Sequence, residues 1–310
     1  MSEDEPPNRV QHAQRPRERL IAVTTDQHDA DVVVVGAGLA GLAAANAVVR
    51  ANRSVVVLEA GDGIGGRVRT VMVEGFRLDR GFQVVLDAYP ELHRQLDVDA
   101  LQLKRFDPGA LVWKGGRTYV VGDPLRRPKS IVATARAPIG TLADKARLAF
   151  ARRRWMHEPV PSLLRQNDGS TRDELRRRGF SDNIVEAFFR PLLGGIQLDP
   201  QLAGSVRMAD TVMAMLTRGS AAIPANGMGE IANQLGASLP AGSVRINACV
   251  GTVENTTAIL VSGERVSGRA LIVATEGPAA ARLIGVRDPA SKAVGCVYFD
   301  APAAPIPQRL

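Results

Sequence analysis

The residues best placed to do chemistry in this 310-residue chain begin at Gly36-Ala37-Gly38-Leu39-Ala40-Gly41, a G-x-G-x-x-G spacing. Alone, that spacing recurs by chance in loops. Here a valine run, Asp31–Val35, precedes it, and the Ala-rich stretch Leu39–Arg50 follows. A second apolar run, Ser54–Leu58, then ends at the acid Glu59. In such a strand–turn–helix–strand unit the first glycine permits a tight turn and the second lets backbone approach a pyrophosphate. The third lets the helix pack close to the sheet. The helix N-terminus adds N–H donors and the positive end of its dipole. Glu59, about 20 residues beyond the first glycine, is placed to accept hydrogen bonds from ribose hydroxyls and to repel a 2′-phosphate, which disfavours NADP. FAD or NAD is the expected ligand.

The stretch after Glu59 separates those two. Ala60 leads into Gly61-Asp62-Gly63-Ile64-Gly65-Gly66-Arg67-Val68-Arg69-Thr70. Paired glycines let a second loop come close to the pyrophosphate, and Arg67 can neutralise it. On a bare surface the same residues would make a flexible loop with solvated arginines. Following a dinucleotide-binding acid, the segment resembles the E-A-x-x-x-x-G-G-R-x-x-T extension of the flavin-containing amine oxidoreductase superfamily. That group includes amine oxidases, protoporphyrinogen oxidase and phytoene-desaturase-like enzymes. Three further segments extend the resemblance. Leu78-Asp79-Arg80-Gly81-Phe82-Gln83 is similar to the segment that passes beside the flavin, with Arg80 where a small residue is commoner. Phe188–Gly195 and Ile223–Glu230 resemble the phytoene-dehydrogenase-like branch, with Asn226 replacing a glycine. The resemblance implies FAD as cofactor, held by Gly36, Ala37, Gly38, Leu39, Ala40, Gly41, Glu59, Ala60, Gly65, Gly66 and Arg67. It adds Gly81, Gln83, Val250 on the strand that holds the adenine, and Thr275 in a late Ala-Thr signature.

The implied fold is α/β with an α+β insertion: an FAD-binding Rossmann-like domain of glutathione-reductase type, interrupted by a substrate domain. The segments expected are a disordered leader at 1–29, a first FAD-binding part at 30–85 and a helical substrate domain at 86–222. A second FAD-binding part at 223–285 and the start of a further substrate-domain segment at 286–310 complete the division. Within these, strands are expected at Phe76–Leu78 and in Leu111–Val121, where Gly115-Gly116 signals a hairpin turn. Helices are expected at Leu142–Trp155, Thr171–Arg178 and Asp182–Phe189. Val244–Val253 and Ala258–Val261 read as an antiparallel meander, Ala270–Ala274 as a buried strand, and Val297–Asp300 as a strand of the substrate domain. Nothing after Ala274 resembles the Gly-Asp segment and helix that close the family's FAD domain. The expectation is therefore a C-terminally incomplete chain, with a missing half or partner chain to supply the rest.

Composition narrows the function further. The net charge of +7 favours anionic partners. Aromatics are only 4% of the chain, and no basic run interleaves with them, so no stacking platform for nucleic acid is present. Cys249 and Cys296 lie far apart and no Cys/His ligand spacing occurs, so no metal site is expected. The uncharged run Val32–Val49 is long enough to span a membrane, but Gly36, Gly38 and Gly41 break it into strand, turn and helix. The N-terminus lacks an apolar signal region, so a cytoplasmic location is expected. Arg152-Arg153-Arg154 and Arg176-Arg177-Arg178 read as solvated helix faces, with peripheral contact to an anionic membrane as the second reading. No Ser-His-Asp set or G-x-S-x-G elbow is found, and no catalytic residue is assigned.

The expected activity is FAD-dependent dehydrogenation of an apolar isoprenoid-like or amine substrate, with hydride passing to flavin N5. The alternative is a non-catalytic or split-protein fragment of such a flavoprotein. An NAD-dependent dehydrogenase is disfavoured because no second nicotinamide-binding half is visible.

Overall fold

A computed structural model describes residues 28–123, 126–289 and 291–303. The chain opens with β1 (Ala30–Val35), α1 (Leu39–Arg50) and β2 (Val55–Leu58). Next come the paired strands β3 (Thr70–Val73) and β4 (Phe76–Asp79), then β5 (Val85–Leu86), α2 (Pro90–Gln95) and β6 (Lys104–Arg105). β7 (Gly109–Lys114) and β8 (Arg117–Gly122) form a hairpin. Its turn residues Gly115 and Gly116 both have positive φ (58° and 74°), as a two-residue type I′ connection requires.

A helical block follows: α3 (Ile131–Arg136), α4 (Leu142–His157), α5 (Val160–Arg165), α6 (Thr171–Arg177) and α7 (Asp182–Ile184). α7 runs through a π-helical turn, Val185–Phe189, into α8 (Arg190–Gln197), and α9 (Val206–Arg218) completes the block. The chain then forms β9 (Ala221–Ile223), α10 (Gly229–Ala237), β10 (Val244–Arg245), β11 (Val250–Glu254), β12 (Thr257–Leu260), β13 (Arg265–Val273) and α11 (Gly277–Ile284).

The main sheet has the order β10-β2-β1-β13-β12-β11. β10, β2, β1 and β13 are parallel, and β13 turns back through antiparallel β12 and β11. An unbroken valine run suits β1 because it is covered on both faces. Val34 packs with Leu42 and Ala45 of α1 and Leu235 of α10. Val33 and Val35 pack the other way, with Ala258, Leu260 and Val266. Buried Asn46 ties the two helices of the first layer by donating Nδ2 to the Leu42 and Leu235 carbonyls at 2.9 and 2.8 Å.

The helical block is organised around α9, most of whose side chains are buried. Trp155, Leu163, Leu175, Phe189 and Met215 form its core, where Phe180 and Phe189 meet edge to face at 5.0 Å. Buried Asp210 accepts from Trp155 Nε1, Gln166 Nε2 and both terminal nitrogens of Arg178 at 2.6–2.8 Å. In a small sheet, β5-β9-β6, Leu86 packs into this block while Val85 and Ala222 pack with Met228 and Ile231 of the following segment.

Several expected elements differ in detail. Val244–Val253 is not one strand: β10 pairs with β2, the chain turns at Asn247 (φ 54°), and only from Val250 does it enter the meander. β13 begins earlier, at Arg265, and the expected buried strand at Ala270–Ala274 has its first residue exposed and the rest half-buried. Val297–Asp300 forms no strand, since no neighbouring strand offers it a ladder among the described residues. The assigned leader lies outside the described residues up to position 27, as do residues 304–310 of the last segment. No helix among the described residues is long and apolar enough to cross a membrane.

Candidate cofactor site

The glycine turn between β1 and α1 is built as its spacing requires. Gly36 has φ 102°, and a Cβ there would sit 3.0 Å from the Ala274 carbonyl oxygen. A Cβ on Gly41 would lie 1.9 Å from the Gly36 carbonyl oxygen, so only glycine lets α1 start this close to the strand. Gly38 is the contrast: an added Cβ meets nothing within 4 Å. Open space therefore lies over the helix N-terminus, where Leu39 and Ala40 are exposed and the first-turn N–H groups have no intrahelical acceptors.

The second glycine loop faces the first. Gly65 (φ 102°) and Gly66 (φ 53°) hold conformations that favour glycine, and Gly65 N donates to the Ala37 carbonyl at 2.8 Å. The nearest atom to a Cβ on Gly66 would be Gly38 Cα, at 3.6 Å. Two side-chain-free stretches of backbone thus oppose each other, which fits a pyrophosphate approached closely from both sides. Arg67 is exposed and has no acidic partner among the described residues. Arg69 differs: Asp62 accepts from its Nη1 at 2.6 Å, and its side chain covers Gly63 and Gly65.

Glu59 is half-buried at the end of β2 and already holds the loops together. Its Oε2 accepts from Ala37 N at 2.7 Å and its Oε1 from Gly61 N at 2.8 Å. A carboxylate has about four acceptor directions, so two remain for ribose hydroxyls. Ala60 beside it is exposed. The backbone of 245–248 runs alongside, with Ala248 N donating to the Glu59 carbonyl and Asn247 N to the Gly61 carbonyl. Val250, half-buried and opposite Leu260 at a strand irregularity, follows two residues later. Thr275 N would lie 3.4 Å from a Cβ on Gly36, which places it against the first glycine turn.

Gly81 (φ 95°) has open space at its Cβ position, and Gln83 Nε2 donates to the carbonyls of Arg67 and Arg80. The 80–83 segment is thereby fastened to the double-glycine loop. Sequence reasoning missed what fixes this loop from behind. Thr70 Oγ1 donates to Asp79 Oδ1 at 2.5 Å, Met228 N donates to the same oxygen at 2.9 Å, and Gly229 N donates to Thr70 Oγ1 at 2.8 Å. The signal lay in the terminal threonine of the extended motif, but its partners are up to 159 positions away. Among the described residues no cluster of three or more His, Cys, Asp or Glu side chains could hold a metal.

This arrangement agrees with what the chain matches. Residues 39–296 match the family model of the flavin containing amine oxidoreductases. The chain belongs to that family. The family is flavin-containing, and FAD is the cofactor that membership implies. Among curated relatives, protoporphyrinogen oxidase 2 of Arabidopsis thaliana is 28% identical over 169 residues, 53% of this chain and 32% of that protein. Phytoene desaturase of Fusarium fujikuroi is 26% identical over 145 residues, 44% of this chain and 25% of that protein. A solved structure of putrescine oxidase bound to putrescine superimposes with TM-score 0.59 at 22% identity, covering 82% of this chain and 60% of that one. The matched segments thus span about a third or less of those curated relatives and three-fifths of the solved chain.

Proposed function

We propose that this chain takes part in FAD-dependent dehydrogenation of an apolar isoprenoid-like or amine substrate. The observation that carries the reading is the pair of opposed glycine loops, Gly36–Gly41 and Gly65–Gly66, locked together through Glu59 and the Ala37 carbonyl. Gly38 and Gly66 would face the pyrophosphate, with the α1 N-terminus and Arg67 supplying positive potential. The free acceptor directions of Glu59 would orient the ribose, and the backbone at Val250 the adenine. Gly81, Gln83 and Thr275 would border the rest of the cofactor. When bound, FAD supplies a two-electron acceptor, so the protein's own part is to bind, orient and exclude water.

Anaerobic titration tests the reading. The purified chain should bind FAD, and addition of the right substrate class should bleach the flavin absorbance. A set of primary and secondary amines run beside a set of polyenes decides between the two classes. Absence of FAD binding by the folded chain would overturn the proposal. Arg67→Ala should weaken binding in a salt-dependent way, and Arg69→Ala should matter less because Asp62 already neutralises it. Equal, negligible effects of the two changes would remove the double-glycine loop from the site.

A further inference from the structure

The stretch from Arg126 to His157 holds nine arginines and lysines and a single acid, Asp144. That excess is larger than the net charge of the whole chain. Asp144 is fully buried, accepting from Thr141 and Ser181, and the one surface cation it meets is Arg147, at 4.0 Å. Part of the positive charge is answered locally: Arg152 pairs with Asp123, Arg154 with Glu158, and Arg127 with Asp107. Lys129, Arg136 and Arg153 have no acidic partner among the described residues.

Apolar side chains stand among those cations. α4 packs Leu148, Ala151 and Trp155 into the helical core. Its opposite side carries a second set of apolar residues, with Leu142 79% and Phe150 77% exposed. Both lie on the side where a helix with one buried face carries polar residues. Ile131 and Val132 of α3 are also half exposed or more. The two helices adjoin, because Lys145 on the first turns of α4 donates to the carbonyls of Ala135 and Ala137 at the end of α3.

We propose that this α3–α4 surface docks on an anionic lipid bilayer. The occupant must supply negative charge for Lys129, Arg136 and Arg153 and an apolar interior for Leu142 and Phe150. A bilayer with anionic headgroups supplies both at the same depth. A second copy of the chain, meeting this face through a two-fold axis, would set the same unpaired cations against one another. Nucleic acid offers the anions, but its stacked bases admit single apolar wedges at the cost of unstacking rather than a continuous apolar interior. The proposal is independent of flavin binding.

Vesicle flotation of the full chain tests it. The protein should float with phosphatidylcholine vesicles that contain phosphatidylglycerol, lose most of that binding at near-molar salt, and ignore pure phosphatidylcholine. Arg136→Glu with Arg153→Glu should lower binding by about tenfold or more, at several-fold per cation near such a surface. Leu142→Ser with Phe150→Ser should lower it too, with no change in charge. Arg282→Glu with Arg287→Glu makes the same charge change at exposed positions elsewhere and should leave binding intact. All these positions are exposed; circular dichroism melts check folding, and should one patch variant fail to fold, the other carries the test. No flotation with anionic vesicles overturns the proposal, as does patch variants floating like wild type. Equal loss in the Arg282/Arg287 variant reduces the effect to net charge. If the serine variant turns an oligomer into a monomer while vesicles bind nothing, the surface joins copies of the chain instead.

Discussion

Gly38 and Gly41 are three residues apart and would fail for opposite reasons. Gly38 has an ordinary backbone conformation (φ −73°) and free space at its Cβ, so Gly38→Ala should fold with an unchanged melting temperature. It should nonetheless bind FAD more weakly, because the methyl group occupies the volume between the two loops. Gly41→Ala drives a Cβ to 1.9 Å from a backbone oxygen and should cost about 1–3 kcal/mol or more of stability. Thermal melts and flavin titrations of the two variants should therefore move in different columns, and a Gly38→Ala protein that keeps full FAD affinity would contradict this geometry. Glu59 needs a similar separation. Glu59→Ala removes both any ribose contact and the acceptor for Ala37 N and Gly61 N, so it should lower stability and affinity together. Glu59→Gln keeps one carbonyl acceptor and the shape. It should retain more stability while still losing about 1.5–3 kcal/mol of FAD binding, the range for hydrogen bonds to a charged group. Equal flavin affinity in wild type and Glu59→Gln would leave Glu59 a purely structural lock.

α9 carries a polar group where a helix core normally has none, and that group sets an acid limit. Burial pushes the Asp210 carboxyl up, but the hydrogen bonds and charge of Arg178, with Gln166 and Trp155, outweigh it and hold the group below the usual carboxylate range. A carboxyl depressed in the folded state adds stability at pH values above its unfolded pKa, about 3.9. That stability drains away as the pH falls below it toward the folded value. Asp144, capping α4 and bridging to Ser181, acts in the same sense. Melting temperature should thus fall steeply below about pH 4. Asp210→Asn should be destabilised at neutral pH by about 3 kcal/mol or more, because Arg178 loses its charged partner, and its melting curve should flatten in acid. An unchanged acid slope in that variant would move the limit to other carboxylates. Sequence reasoning also missed α9, although Val206, Ala209, Met213 and Leu216 recur at helical spacing; buried Asp210, Thr211 and Thr217 sit among them. β1, α1 and β2 were legible because a valine run, three glycines and one acid each have a single physical use in that order. Val244–Val253 misled because its alternation continues through the Asn247 turn, and alternation does not report which neighbour a strand pairs with. The glycine loops of the site were legible for the reason β1 was. The Thr70–Asp79–Met228 support was not, since hydrogen bonds across 149 positions leave no local pattern.

At the scale of the whole molecule, the main sheet takes β1 and β2 from one end of the described chain and β10 to β13 from the other, with the helical block between. That block is closed largely by contacts among neighbouring helices, around one continuous core. Local contacts form faster than distant ones, because loop closure must be met before distant strands repay it. In refolding followed by pulsed hydrogen exchange, amides of α4 and α9 should become protected before those of β1. Simultaneous protection would show the two regions to be one cooperative unit. The order has a counterpart during synthesis. Asp29 and Ser267, which share three hydrogen bonds at the lower end of the β1–β13 pair, are 238 positions apart. While a ribosome adds the residues between them, β1 has β2 on one side and nothing on the other. For most of its time as a nascent chain, then, this protein presents an open edge of consecutive valines, the kind of edge to which a chaperone or another unfinished copy binds.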